Sequence, residues 1–365
     1  YESSELAPIS TNMNIWEGEN ISERLKASIE SYKENGYYLK DLRLYIYGNC
    51  TITEPIEAAG NIRVYGYNNS IIDASELKGP FAQFATGLEA NSEISQVYFS
   101  GVHIENLAYQ LFYANKQKVL VNTLTLTNSI IGIKGAAKKT IIDFNGAGQV
   151  RRLNITNSTL FADETTTWAN GGLFSTQSAQ RIPDYDEDVN DGNYHQFFNI
   201  SNNTFYRICN GSQTATLRQN SQTWMSFTVK NNIIVNGGKK GQFLKGLNGG
   251  QPGKDANWIN EDGTSRVSGN IFNFDGEVIT EQKIGSKDDN IQGSIEEVVK
   301  FADAENGDFT LEAGSQATLF FVGDKRWNTT KLGNTYYSLG YFDKNGYSAS
   351  VRFYDASRGV YTRSA

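Results

Sequence analysis

Five prolines, two cysteines and two histidines in 365 residues exclude several common designs. Scarce proline suits long, uninterrupted strand ladders, because proline cannot donate to a ladder. Cys50 and Cys209 lie far apart and match no metal or redox spacing, so two buried free thiols are expected. His103 and His195 have no partners arranged as in a catalytic triad, and His103 reads as a strand residue. Basic residues are in deficit, 33 Lys and Arg against 40 Asp and Glu, for a formal net charge of −7. That balance argues against a nucleic-acid partner. No apolar run reaches spanning length, so no transmembrane helix is expected. The chain opens on Tyr1 with a polar segment, which reads as the start of a mature or trimmed secreted chain.

Gly and Asn are plentiful, and they fall in a pattern. Leu124-Thr125-Leu126-Thr127-Asn128 is followed by Leu153-Asn154-Ile155-Thr156-Asn157, Phe198-Asn199-Ile200-Ser201-Asn202 and Phe227-Thr228-Val229-Lys230-Asn231. With Gly in place of Asn the column extends to Gly66, Gly101 and Gly269. Asn and Gly share access to positive φ, so the column predicts one bend that every repeat makes. The steps along it are 35, 27, 29, 45, 29 and 38 residues, a unit of nearly fixed length with loop insertions. Apolar alternation of period two on each side of the bend makes the units strands. Around Asn128, one strand ends at the bend, a second runs over 129–133 and a third over 140–144. Three strands per unit predict a parallel β-helix; a propeller would need four-stranded blades and hairpin turns. The stacked side chains of Asn128, Asn157, Asn202 and Asn231 are expected to form a hydrogen-bonded ladder.

In chain order, residues 1–19 read as an extended leader. A helix follows over 20–35, with Ile21, Leu25 and Ile29 at helical spacing, suited to cover the open end of the solenoid. Residues 20–327 form the solenoid with its end caps, and 328–365 a Tyr-rich hairpin tail around Asn345-Gly346. Insertions fall at 87–93, 178–194 and 248–264. Ser294-Ile295-Glu296-Glu297 is a capping box opening a short helix, and 308–311 reads as a last strand.

Aligning the third strands places Phe112, Ile142, Phe174, Leu217 and Leu244 in one inward column. Alternation then sends Tyr113, Asp143, Ser175, Arg218 and Lys245 outward together, with Gln83 one repeat earlier. At about 4.8 Å per repeat this is a polar stripe of roughly 20 Å. Lys138, Lys139, Lys239 and Lys240 enter it, and Asp184, Asp186, Asp188, Asp191, Asp255, Glu261 and Asp262 leave it. Trp168, Trp224 and Trp258 lie in the bordering segments, where exposed indoles could stack on sugar rings. Asp184-x-Asp186-x-Asp188 is a candidate Ca²⁺ loop without the EF-hand glycine.

The amphipathic helix, the segments Gly48–Ile52 and Asn61–Asp73 and the turns at Asn202–Phe205 and Asn231–Ile234 together resemble the pectate-lyase-like right-handed parallel β-helix superfamily. The segment Gly307–Trp327 is similar to the end of exported β-helix lipoproteins of Bacteroidetes-type bacteria associated with polysaccharide utilisation, which usually have Pro where Lys325 stands. The resemblance spans Glu19–Trp327 and implies a single-stranded right-handed solenoid. It also implies secretion to the cell surface, outer membrane or periplasm, with a lipid anchor on a preceding segment. Superfamily members carry their active site on the face that holds the stripe. Three functions follow. The first is a monomeric, non-catalytic protein that holds an acidic, uronate-containing polysaccharide on Tyr113, Asp143, Ser175, Arg218, Lys245 and the three Trp. The second is a polysaccharide lyase, with Arg218 or Lys245 as base and Asp143 on Ca²⁺; a hydrolase would want a second carboxylate. The third is a structural or adhesive solenoid.

Overall fold

The computed structural model describes residues 6–135, 140–168, 172–176, 195–211, 217–218, 224–244, 266–279, 290–291, 298–313, 315, 317–328, 331–332, 335–338, 352–355 and 360–363. The chain is built mainly of short strands in three long sheets, and every pair in them is parallel except a terminal hairpin at Asn273–Val278. The first sheet begins with Ala7–Ile15, Tyr37–Ile46 and Ile62–Gly66 and continues through Glu93–Ser100, Leu120–Thr127, Gln149–Thr156 and His195–Ser201 to Val267–Ser268. From Tyr37 onward the strands go to the first, second and third sheets in rotation, as far as Leu217–Arg218. Long all-parallel sheets filled in this order are consistent with a parallel β-helix. The residues read as a leader supply the first strand, in register with Tyr37–Ile46.

The bend after each first-sheet strand is where sequence and geometry meet. Asn128, Asn157, Asn202 and Asn231 have φ of 51°, 49°, 57° and 58°, and Gly101 and Gly269 have 65° and 69°. The predicted left-handed column is therefore present. Gly66 is the exception in φ: it is required because a side chain there would strike the Gly101 carbonyl oxygen of the next repeat.

The hydrogen-bonded ladder is not made by that column. It is displaced by one residue, to Ser129, Ser158, Asn203, Asn232 and Asn270, all fully buried. Each backbone N–H donates to the side chain one repeat on: Ser129 to Ser158 Oγ (3.1 Å), Ser158 to Asn203 Oδ1 (3.0 Å), Asn203 to Asn232 Oδ1 (2.9 Å) and Asn232 to Asn270 Oδ1 (2.9 Å). The amide nitrogens reach back, Asn203 Nδ2 to the Ile155 carbonyl and Asn232 Nδ2 to that of Ile200. The left-handed residue turns its own side chain away from the core, and the next residue points in. Only the second can serve buried backbone groups.

Between the sheets runs a core in which Phe84, Phe112, Phe144, Phe174 and Phe198 follow one another at 4.9–6.2 Å between ring centroids. Cys50 and Cys209 are buried free thiols, as expected, and burial pushes Cys50 up to about 12. The helix Ile21–Glu34 is capped by Asn20, whose side chain accepts from the Glu23 N–H. It buries Ile21 and Leu25, while Ile29 is 38% exposed because only the first half of the helix lies against the core.

Residues 298–328 do not sit on the end of the sheets. They cover the outer face of the second sheet, where Val298, Phe309, Leu311, Ala317 and Val322 bury Tyr206, Ile233, Val235 and Ile271. Apolar residues on an outward strand face need such cover. The segment is pinned by fully buried Asp324, which accepts from Thr159 Oγ1 (2.8 Å) and pairs with Arg326 (2.9 Å). Its backbone N–H donates to Thr204 Oγ1 (3.0 Å), and Trp327 Nε1 donates to Thr159 Oγ1 (2.7 Å). The strand expected at 308–311 is there, antiparallel to Phe301–Asp303. The capping box at 294–297 lies outside the described residues, as do Asn345 and Gly346, though the flanking strands Thr335–Ser338 and Arg352–Asp355 are antiparallel.

Asn232→Ala should cost about 2–3 kcal/mol, because it strips partners from two buried backbone groups. Asn231→Gly, one residue earlier, should leave the melting transition within about 0.5 kcal/mol. Equal losses at the two positions would contradict the displaced ladder. Asp324→Ala, which leaves the Arg326 charge unpaired, should cost about 3–5 kcal/mol, and limited proteolysis should then cut within 298–328 first.

Candidate binding faces

The third-sheet stripe is aligned as the sequence predicts as far as Leu217–Arg218, but Leu244, expected to continue the inward column on a strand, lies in a turn instead. Ala82, Phe112, Ile142, Phe174 and Leu217 pair across neighbouring strands, and so do Gln83, Tyr113, Asp143, Ser175 and Arg218. Glu57 extends the second column by one repeat, and Gln83 Nε2 donates to Glu57 Oε2 at 2.6 Å. Pointing away from the core is not the same as being exposed, however. Asp143 is 8% and Ser175 2% exposed. Asp143 accepts from Gln110 Nε2 (3.2 Å) and from the Asn145 N–H (3.0 Å), and Ser175 Oγ donates to Asn145 Oδ1 (2.6 Å). The middle of the stripe is thus covered and bonded within the protein, while Gln83 and Tyr113 stay half-buried at its start.

The other predicted contacts separate. Trp168 is 3% exposed, and its Nε1 donates to the Arg207 carbonyl at 3.0 Å, so this indole is a core residue and offers no face to a sugar. Trp224 begins a first-sheet strand, paired with His195, instead of lying in a bordering loop. Lys239 and Lys240 open a single helical turn, and Leu244 is buried in the turn that follows it. Lys245, Trp258, Asp184, Asp186 and Asp188 lie outside the described residues, as do Lys138 and Lys139. No group of three His, Cys, Asp or Glu that could hold a metal ion occurs among the described residues.

A second face is legible in the sequence on the outward positions before the bends. Arg43-Leu44-Tyr45-Ile46-Tyr47 and Arg63-Val64-Tyr65-Gly66-Tyr67 repeat one pattern, and Asn12-Met13-Asn14-Ile15-Trp16 has the same spacing. Their strands are neighbours in the first sheet, with Asn12 opposite Arg43, Arg43 opposite Arg63, Asn14 opposite Tyr45 and Tyr45 opposite Tyr65. Leu44, Ile46, Val64 and Ile15 fill the core. Alternation therefore turns the Arg, Tyr and Trp outward in three rows.

The rows stack as rungs. Trp16 and Tyr47 are 4.9 Å apart between centroids with planes at 18°, and Tyr47 and Tyr67 are 5.0 Å apart at 17°. Beside them Tyr45 and Tyr65 stack at 5.2 Å, and Tyr98, which stands opposite Arg63 on the next strand, leans its ring against Tyr65 at 5.6 Å with the planes tilted by 47°. The middle pair, Tyr45 and Tyr65, is buried between its flanking rows. Desolvation by this packing raises the phenol pKa values of Tyr47, Tyr65 and Tyr98. Each inner rung spends both faces on its neighbours. Trp16, immediately after the first strand of the sheet, is the end rung and is 51% exposed.

On the other flank lie the two arginines. Arg43 is exposed and makes no ion pair among the described residues. Arg63 is half-buried; its Nε donates to Gln96 Oε1 at 2.7 Å, and Gln96 is itself held by its N–H to Asn61 Oδ1 (2.8 Å). Burial and the neighbouring Arg43 charge lower the Arg63 pKa, with Asp41 opposing them. Asp41 is engaged by the Asn61 N–H (2.8 Å) and Ser10 Oγ (3.3 Å).

Trp168→Ala should cost about 3–5 kcal/mol of stability as a core truncation. Any polysaccharide affinity of the folded variant should equal that of the parent, measured below both melting temperatures.

Compared with known proteins, residues 21–163 match the model of a domain of unknown function (DUF4957), a stretch that runs from the helix through the strand Thr159–Ala162. No curated protein and no solved structure matches the chain.

Proposed function

We propose that this chain is an exported, non-catalytic carbohydrate-binding protein, a right-handed parallel β-helix of the pectate-lyase-like kind with three strands per turn. The rotation of strands through three parallel sheets and the shared left-handed bend support that architecture. The resemblance of Glu19–Trp327 to exported β-helix lipoproteins supports a place at the cell surface or in the periplasm. The function rests on one observation, the end rung of an aromatic ladder left open at Trp16. A pyranose ring is flat, carries C–H bonds on its faces, and would continue the stack at the same spacing of about 5 Å. The rungs beneath hold the indole in place, so little side-chain entropy is lost on binding.

A lyase has less support. The carboxylate of Asp143 is covered and accepts two protein hydrogen bonds, which suits a structural role better than metal or substrate contact.

Affinity electrophoresis against a panel of neutral and charged polysaccharides tests the reading. Trp16→Ala should weaken binding about fivefold to tenfold, the worth of roughly 1 kcal/mol of ring stacking, and shift the melt little because the indole is half-exposed. Unchanged binding in that variant, or release of unsaturated product by the parent, would overturn it.

A further inference from the structure

The arginine row raises a separate question, because Arg43 and Arg63 stand side by side on adjacent strands. Two cations at a strand spacing of about 4.8 Å repel, and no carboxylate forms an ion pair with either among the described residues. The charge does not continue along the row, for Tyr98 stands opposite Arg63 on the next strand, and Asp41, whose charge acts on Arg63, is held by the Asn61 N–H and Ser10 Oγ. Gln96 binds only the Nε of Arg63. The two terminal nitrogens of Arg63 make no hydrogen bond among the described residues, and as a pair they can present a parallel fork to two oxygens of one carboxylate or sulfate. A glutamine clamping the Nε fixes the plane of the guanidinium before any ligand arrives, which lowers the entropy cost of capture.

We infer that Arg43 and Arg63 form an anion subsite for a charged substituent of the bound glycan, a carboxylate or a sulfate ester. This rests on the carbohydrate-binding reading above and adds a register to it. Asn12, opposite Arg43, is four residues from Trp16 along the first strand, about 13 Å at ~3.3 Å per residue. A glycan lying along the strands would place an uncharged ring on Trp16 and a charged unit two or three sugars away on the arginines. The carboxylates beside Trp16 agree with that polarity. Glu17 accepts from the Asn49 N–H (2.7 Å), and Glu19 accepts from the Trp16 N–H (2.7 Å) and pairs with Arg24 (2.7 Å). With Glu19 neutralised by Arg24, Glu17 is the carboxylate that would repel an anion at the indole end. Between the two ends, the exposed amides of Asn12 and Asn14 face the same side and can donate to hydroxyls.

The test uses the full chain and two matched pairs of polymers at fixed ionic strength. One pair is a partly methyl-esterified polygalacturonate, which carries charged and uncharged units along one chain, and its fully methyl-esterified form; the other is a partly sulfated galactan and the same galactan without sulfate. The parent protein should bind the charged member of at least one pair tenfold or more tighter, and which pair shows the preference identifies the oxyanion. Arg43→Gln with Arg63→Gln should bring that ratio to within about twofold of one while leaving affinity for the uncharged member unchanged. Arg43→Lys with Arg63→Lys, which keeps charge and loses the fork, should retain only part of the preference. Trp16→Ala should lower both members of a pair by one factor and leave the ratio intact. A parent with no preference in either pair overturns the subsite, as does a preference that survives the double glutamine change. Should Trp16→Ala change nothing while the arginine variants erase the preference, the ladder reading fails and the anion subsite stands.

Discussion

The structure depends on satisfying backbone groups at one buried bend. From Glu93–Ser100 onward each first-sheet strand is followed by a left-handed residue, and the next residue turns back into the core, taking its N–H with it. A buried N–H without a partner costs about 1–3 kcal/mol, and the cost would recur at every repeat. The chain meets it with side chains small enough to fit and polar enough to accept, first Ser129 and Ser158, then Asn203, Asn232 and Asn270. The ladder does more than fill hydrogen bonds. It ties the height of each repeat to the next, so a side chain in one repeat stands directly above its counterpart.

In the earlier repeats strand register alone turns short, separated patterns into surfaces. Arg43 and Arg63 are twenty residues apart in the chain and adjacent in space; Trp16, Tyr47 and Tyr67 form a ladder although no two are neighbours in sequence. The inner rings are placed by strand register and buried by each other, so the surface consequence concentrates at the end rung and at the flanking charges. The third sheet shows the opposite outcome of the same alignment. Asp143 and Ser175 hold the outward register, yet Gln110 and Asn145 satisfy them locally.

The C-terminal segment obeys a different demand. Tyr206, Ile233, Val235 and Ile271 make the outer face of the second sheet apolar over its later strands, and residues 298–328 exist in the fold to cover it. Asp324 is the fastening, a buried carboxyl pushed up by desolvation and opposed by Arg326 and by hydrogen bonds. Its threonine partners, Thr159 and Thr204, are themselves register mates on adjacent strands, so the fastening also depends on the stacking of repeats.

By itself the sequence determined the strands, the bend column and the alignment of the third strands, because period-two alternation and the restriction of positive φ to Asn and Gly are local properties of the chain. It determined the inward residues Phe112, Ile142 and Phe174 for the same reason. It also carried the twice-repeated Arg-x-Tyr-x-Tyr pattern, which is readable only by asking what the outward positions share. Tertiary structure alone decided which side chains serve the buried N–H groups, since that depends on where the chain points one residue after the bend. It decided that Trp168 is core and that Asp143 and Ser175 are covered, because exposure is set by what packs above a strand, and alternation reports only direction. It decided, too, that the last segment lies on the flank of the sheets, because the apolar patch it covers is assembled from three strands that no single stretch of sequence contains.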